Sequence, residues 1–302
     1  MSEAVRRVVR RDHPRTRAAL LVAALMAATA LAAAMPGAAG AATGPYVSLG
    51  DSYTAAPLVP YPTGNPILCG RSTNNYPSDI SRALAPSRFT DASCSSATTA
   101  DMTRSQSLEG GAQTAPPQFD ALRADDALVT LGIGGNDAGL IGVAEECSEL
   151  DLFDPFGSRC KNHYDAGGSD PNVAAIKATG PKVEAVIRGI HGRAPGARVL
   201  VIGYPDGLPV NGSSCWPLVP ISAGDISYFN SLEERLNSAL QQVAAANGAT
   251  YVDTFDSSIG HDACKAPGTA WVNGIVPTSV AFPLHPNRAG EQSMARQALA
   301  KR

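Results

Sequence analysis

The stretch Tyr46-Val47-Ser48-Leu49-Gly50-Asp51-Ser52-Tyr53 is a short apolar run that ends abruptly in Gly-Asp-Ser. Val47 and Leu49 alternate with Ser48 as they would along a β-strand, and Gly50 and Asp51 are turn formers. Ser52 is therefore expected just past the carboxyl end of a strand. In an open parallel sheet, that is the edge at which ligands bind. A serine in this position also reads as an ordinary turn residue or a helix N-cap. The choice depends on the rest of the chain.

Two other stretches bear on it. Leu128-Val129-Thr130-Leu131-Gly132-Ile133-Gly134-Gly135-Asn136-Asp137 is a buried-strand pattern that breaks into glycines and then a side-chain amide. Pro283-Leu284-His285-Pro286-Asn287-Arg288-Ala289-Gly290 sets a histidine between prolines, just ahead of a helical pattern that runs to the C-terminus. Proline restricts its own backbone and that of the residue before it, which suits a side chain whose position matters. Taken in order, Gly-Asp-Ser-Tyr, Gly-Gly-Asn-Asp and His-Pro-Asn resemble the signature of the GDSL-type or SGNH hydrolases. The closest likeness is to the secreted lipases and esterases of actinobacteria. It extends from Tyr46 to the final helix. One departure stands out: the family's second block normally carries Ser-Gly, whereas this chain reads Cys94-Ser95-Ser96-Ala97.

Outward from this core, residues 1–41 read as a secretory signal. Arg6, Arg7, Arg10, Arg11, Arg15 and Arg17 precede an alanine- and leucine-rich run, and Ala39-Gly40-Ala41 offers small residues for cleavage. Residues 42–302 are then expected to form a single hydrolase domain, secreted and extracellular. Removing the leader leaves 18 basic and 25 acidic residues, a balance of −7. No basic stripe remains for nucleic acid, and no second apolar span is present for stable membrane insertion. A monomer is expected.

All six cysteines, Cys69, Cys94, Cys147, Cys160, Cys215 and Cys264, follow the leader, and an even count in an exported chain argues for disulfides. Spacing alone allows many pairings. The family resemblance implies sequential ones: Cys69 with Cys94, Cys147 with Cys160, and Cys215 with Cys264. A zinc site around His261, Asp262 and Cys264 is the competing reading, but no Cys-x-x-Cys pair supports it. Neither a metal nor a cofactor is implied.

Helical patterns alternate with the strands. One opens at Asn75 and Tyr76, one runs from Val173 to about Ile190, and the clearest begins at Ser222 with Ile226, Phe229, Leu232, Leu236, Leu240 and Val243 at helical spacing. Strands are expected near 88–92, 127–133, 198–203 and 250–253. Residues 101–117 read as a polar loop, and 145–172 as an irregular excursion stapled by its two cysteines. The alternation predicts an α/β fold, a three-layer α/β/α sandwich around a mainly parallel sheet of flavodoxin-like type. The absence of Gly-x-Ser-x-Gly disfavours the ordinary α/β-hydrolase elbow, and Asp137 stands where a dinucleotide loop needs its third glycine.

The resemblance implies serine ester hydrolysis, in which a base must take the proton of a weakly nucleophilic hydroxyl. Ser52 is the expected nucleophile and His285 the general base. The implied oxyanion donors are the backbone N–H groups of Ser52 and Ser96 and the amide of Asn136. At Ser96, a side chain is expected to narrow the space and to bar glycine's wider φ range. Many relatives place Asp three residues before the histidine, and this chain has Phe282 there. A Ser-His dyad is therefore expected, with the imidazole oriented by the carbonyl of Phe282 or Pro283; Asp51 is a poor substitute, and Asp253 stays open. Proline-rich residues 55–62 read equally as a wall for an acyl chain and as core packing under a loop; together with the actinobacterial resemblance they make a small-molecule or lipid ester the expected partner, acylglycerols first. The alternatives are a short-chain or carbohydrate acetyl esterase using Trp216, Trp271 or Tyr61 as a platform, and a secreted binding module that has lost catalysis.

Overall fold

The computed structural model describes residues 44–302; the expected leader, residues 1–41, lies outside the described residues. The apolar run ahead of Asp51 and Ser52 is strand β1, Tyr46–Gly50. It is followed by β2 (Phe89–Asp91), the hairpin strands β3 (Gln106–Leu108) and β4 (Gln113–Ala115), β5 (Leu128–Gly132), β6 (Arg198–Ile202) and β7 (Thr250–Val252). Five of them form one sheet in the order β2-β1-β5-β6-β7, with every pairing parallel. Tyr46 pairs with Leu128, and Leu128 with Arg198. The two-residue period sends Val47, Leu49, Val129, Leu131, Val199 and Val201 to one face, and Tyr46, Leu128, Leu200 and Ile202 to the other.

Helices cover both faces, as a sheet buried on both sides requires. The helices are α1 (Ser52–Ala55), α2 (Tyr76–Leu84), α3 (Leu140–Asp151), α4 (Arg159–Asp165), α5 (Pro171–Arg193), α6 (Ala223–Ala246) and α7 (Arg288–Ala300). Val183, Ile187 and Ile190 of α5 and Leu232, Leu236 and Leu240 of α6 pack on the first face, whereas Ile80 of α2 and Met294, Ala295 and Ala298 of α7 pack on the second. Asn75, Asp170, Ser222 and Asn287 each cap a helix by accepting from its first-turn N–H groups. The chain runs from β1 out to β2 and then back past β1 to β5. That reversal opens a crevice beyond the carboxyl ends of β1 and β5.

Two segments are more regular than the sequence pattern suggests. Residues 101–117, read as a polar loop, contain the antiparallel β3–β4 hairpin. Its strands are only three residues long and bury little beyond Leu108 and Ala115, so their period is nearly invisible. Residues 145–172, read as irregular, hold most of α3 and all of α4. The buried positions of α3 are Leu140, Val143, Ala144, Cys147, Ser148 and Asp151, a true helical stripe in which polar residues replace apolar ones. Buried Asp151 accepts the Ser222 N–H on Oδ2 at 2.8 Å, while its Oδ1 finds no partner among the described residues. The disulfides join Cys69 to Cys94, Cys147 to Cys160 and Cys215 to Cys264. Among the described residues, no helix is long and apolar enough to cross a membrane.

Candidate active site

The site is built where β1 and β5 end. Ser52 begins α1, whose cap is Asp51: its Oδ1 accepts the Tyr53 N–H at 2.9 Å. Gly50 can only be glycine, because a Cβ there would lie 2.2 Å from the Thr54 hydroxyl and 2.5 Å from the Gly132 carbonyl. Gln118 grips the same residue at both ends, accepting from Gly50 N and donating to Gly50 O, each at 2.8 Å. Ser52 is thereby fixed at the floor of a cleft of about 610 Å³ that also reaches His285, Asn136 and Ser96.

His285 arrives from a segment without regular structure, Ile259 to Asn287. Its Nε2 lies 2.7 Å from Ser52 Oγ, and its Nδ1 lies 2.8 Å from the carbonyl of Pro283. A carbonyl only accepts, so Nδ1 carries the proton and Nε2 is left to accept from the serine hydroxyl. The carbonyl of Phe282 is occupied by the His285 backbone N–H, at 3.2 Å, and its ring stands edge-on to the imidazole. Of the two residues expected to orient the ring, Pro283 makes the contact. Asp253 points elsewhere, accepting from the N–H groups of Phe255 and Asp256. Burial lowers the pKa of His285 to about 4, with the Pro283 bond opposing the shift, so the ring is uncharged near neutrality. Burial raises Asp51 to about 7, against its hydrogen bond from Tyr204.

Asn136 lines the cleft on the loop after β5. One of its amide N–H groups donates to the Ala97 carbonyl at 2.9 Å, which orients the group and leaves the second N–H for the cleft. Neither Ser52 N nor Ser96 N finds a backbone acceptor among the described residues. The expectation that a side chain bars Ser96 from glycine's conformation fails, since Ser96 sits at φ 62° with its side chain exposed. Leu284, next to His285, is also left-handed at φ 59°. Strain of this kind persists where the surroundings over-determine the backbone, and it gathers at functional sites.

Pro57, Leu68, Leu108, Ile141 and Phe282 supply the apolar wall. Only Pro57 comes from the proline-rich stretch expected to form it. Val59 is instead buried against Ala56 and Ala281. Leu108 shows what the sequence concealed, because it enters on the unforeseen β3–β4 hairpin. Trp216, Trp271 and Tyr61 do not line the cleft, and Trp271 stacks on His261 at 3.7 Å. Cys264, offered as a zinc ligand, is bound in its disulfide.

The GDSL-like lipase/acylhydrolase family matches residues 48–292, a span that takes in every group just described. The chain belongs to that family. This GDSL-like hydrolase is 40% identical over 258 residues to Lipase 2 of Streptomyces coelicolor, covering 84% of each chain. It is 31% identical to Lipase 1 of the same organism, over 83% of this chain and 84% of that one. Its fold matches the crystal structure of phospholipase A1 from Streptomyces albidoflavus, with a TM-score of 0.72 and 26% identity over 86% of this chain and 100% of that one. The extracellular lipase from Streptomyces rimosus matches with a TM-score of 0.68 and 26% identity, over 86% and 99%. The GDSL-like hydrolase is accordingly a carboxylic-ester hydrolase.

Two tyrosines near the site were given no role by the sequence, one inside the Gly-Asp-Ser-Tyr stretch and one outside every motif. Tyr53 donates its hydroxyl to the Leu284 carbonyl at 2.6 Å, and Tyr204 donates to Asp51 Oδ2 at 2.5 Å. The signal for Tyr204 was available: it follows Gly203 at the end of β6, a third strand end on the same edge.

Proposed function

We propose that this chain is a secreted serine esterase of the lipase type, cleaving lipidic esters such as acylglycerols through an acyl-enzyme on Ser52. The observation that carries the reading is the 2.7 Å contact between Ser52 Oγ and His285 Nε2, at the floor of a cleft with one apolar wall. In this reading Ser52 Oγ attacks the ester carbonyl carbon as its proton passes to Nε2. The carbonyl oxygen takes up the negative charge, facing the N–H groups of Ser52 and Ser96 and the free N–H of Asn136. Collapse of the tetrahedral intermediate breaks the bond to the alcohol, which leaves with the proton from Nε2. Water then enters by the same route: its oxygen attacks the acyl carbon as His285 Nε2 takes its proton, and the bond from that carbon to Ser52 Oγ breaks as Nε2 returns the proton to Oγ, releasing the acid.

Pro283 does in this scheme what a carboxylate does in a triad: it fixes the tautomer and faces the imidazolium as it forms. Residues 1–41 act as the export leader and residues 42–302 as the catalytic domain, which fits disulfides that persist in an oxidising compartment.

The test is hydrolysis of p-nitrophenyl esters from acetate to long acyl chains by the disulfide-bonded protein from residue 42, beside Ser52→Ala. Loss of nearly all turnover in the variant is expected. Each methylene buried against the apolar wall contributes about 0.8 kcal/mol, so kcat/KM should climb roughly fourfold per carbon until the cleft is filled. Full activity of Ser52→Ala would sink the assignment, and a maximum at acetate would favour the acetyl-esterase alternative. Failure of the folded wild type to hydrolyse any ester would point to a binding module.

A further inference from the structure

The cleft groups come from separate loops, so something must set the distance between those loops. Tyr204 stands between two of them. Its backbone is fastened to α6 by Asn237, whose Oδ1 accepts the Tyr204 N–H at 2.8 Å and whose Nδ2 donates to the Tyr204 carbonyl at 2.9 Å. The phenol thus extends from a fixed base. Its hydroxyl donates to Asp51 Oδ2 at 2.5 Å and accepts from Gly135 N at 2.7 Å. Asp51 is the residue before Ser52, and Gly135 is the residue before Asn136. Among the described residues, no other side chain hydrogen-bonds to both.

The sequence at 135 fits this contact. A Cβ on Gly135 would lie 3.0 Å from the Tyr204 hydroxyl and ring, so the second glycine of the Gly-Gly-Asn-Asp stretch is the opening through which the phenol arrives. Tyr204 is 4% exposed and does not line the substrate cleft. The β1–β5 ladder stops pinning the two loops at the bond from Asp51 N to Gly132 O, at 2.9 Å. Beyond that bond, the β5 side runs through Gly134, at φ 117°, before it reaches Asn136.

We propose that the Tyr204 hydroxyl is a positioning group that sets the separation between the Ser52 and Asn136 donors of the oxyanion hole, acting through Asp51 and Gly135. The proposal rests on the catalytic reading above. Tyr53 extends the arrangement to the third loop: its ring packs 5.0 Å from that of Tyr204, and its hydroxyl holds the carbonyl of Leu284 beside His285. Oxyanion stabilisation depends on donors held in advance where charge will develop, so a loop that drifts by tenths of an ångström loses turnover while ground-state binding is spared.

The experiment is a double-mutant cycle on p-nitrophenyl butyrate. Tyr204→Phe keeps the ring and removes the oxygen. It is expected to lower kcat by about 10- to 100-fold, with KM held to about twofold. In an Asn136→Ala background, the same change should cost less than about threefold, because the loop that Tyr204 holds no longer carries a donor. A purely structural role would instead give equal losses in both backgrounds. That result, or unchanged turnover in Tyr204→Phe, overturns the proposal. Near-UV circular dichroism checks that the fold is intact. If Tyr204→Phe does not fold, Asp51→Asn repeats the cycle from the other end of the bridge, with the same two outcomes. Ser52→Ala separates the two levels. If it stays active, the catalytic reading falls and this proposal with it. If it is inactive while Tyr204→Phe is unimpaired, only the Tyr204 assignment falls.

Discussion

Ser52 and His285 meet at 2.7 Å, yet they are held there by opposite means. Ser52 stands at the end of β1, between two parallel neighbours, with the Gln118 clamp and the Asp51 cap added to a ladder already made. His285 ends a run from Ile259 with no helix or strand in it. There, one fully buried side chain replaces the ladder. Asn273 donates to the carbonyls of Ala281 and Ser279 at 2.7 and 2.9 Å and accepts from the N–H and hydroxyl of Ser279, while its backbone exchanges bonds with Leu284 N and His285 O. The difference teaches where precision is fragile. A sheet shares its hydrogen bonds among many residues, whereas this loop concentrates them in one.

Removing the hub is the strongest way to break the symmetry between the two sides. Asn273→Ala leaves the buried Ala281 carbonyl without its partner and strips the exposed Ser279 N–H and hydroxyl of theirs, and a buried orphan costs about 1–3 kcal/mol. We expect kcat on a soluble ester to fall by roughly 100-fold or more and Tm to drop by about 5–10 °C. Gln118→Ala on the sheet side removes two bonds of similar length, but the ladder remains, so its loss should be at least tenfold smaller. The comparison fails if the two variants lose equal activity at equal folded fraction.

A second effect separates the two sides through pH. His285 is held at about 4, below its ordinary value of 6.5, because burial disfavours the charged ring. Only the neutral ring accepts the serine proton, so the acid limb of kcat/KM should fall to half near pH 4 rather than near 6.5. Linkage has the matching sign. Between 6.5 and 4 the unfolded chain binds a proton that the folded chain refuses, so stability is full above 6.5 and declines as pH falls through that window. Asn273→Ala, by letting water reach the ring, should move the acid limb upward. Gln118→Ala should not move it. A limb at 6.5 in the wild type would show that the imidazole is not desolvated.

What the sequence revealed follows the same division. Residues 46–53 and 128–137 were legible as strands that break into loops, since a two-residue period interrupted by glycine has few other readings. His285 stood out through its flanking prolines, although the loop that carries it did not, because Asn273 looks like any polar loop residue. Helix α3 was hidden by Ser148 and Asp151 in its buried stripe, and the β3–β4 hairpin by the brevity of its strands. Which carbonyl meets His285 Nδ1 could not be read, since a backbone acceptor leaves no trace in side-chain identity. Gln118 acts across 68 residues of chain, which no local pattern spans, whereas the place of Tyr204 at a strand end was readable and only its partner, 153 residues away, was not.

Ser96 tests the comparison at its gentlest. It belongs to the sheet side, just beyond Cys94, whose N–H donates to the Gly50 carbonyl at 3.0 Å. It nevertheless adopts the left-handed backbone, at φ 62°, that a glycine takes without penalty. The surrounding bonds therefore hold a serine where the chain would accept glycine more easily. Left-handed geometry costs a residue with a Cβ roughly 1 kcal/mol, while glycine loses part of that gain through its greater freedom when unfolded. Ser96→Gly should thus raise Tm by about 1–3 °C, with turnover within about threefold, because the backbone N–H proposed to face the oxyanion is retained. Thermal unfolding beside ester hydrolysis decides it. A marked fall in turnover at unchanged or higher Tm would mean that the serine hydroxyl itself takes part in the site, and that the sheet side is less self-sufficient than its ladder implies.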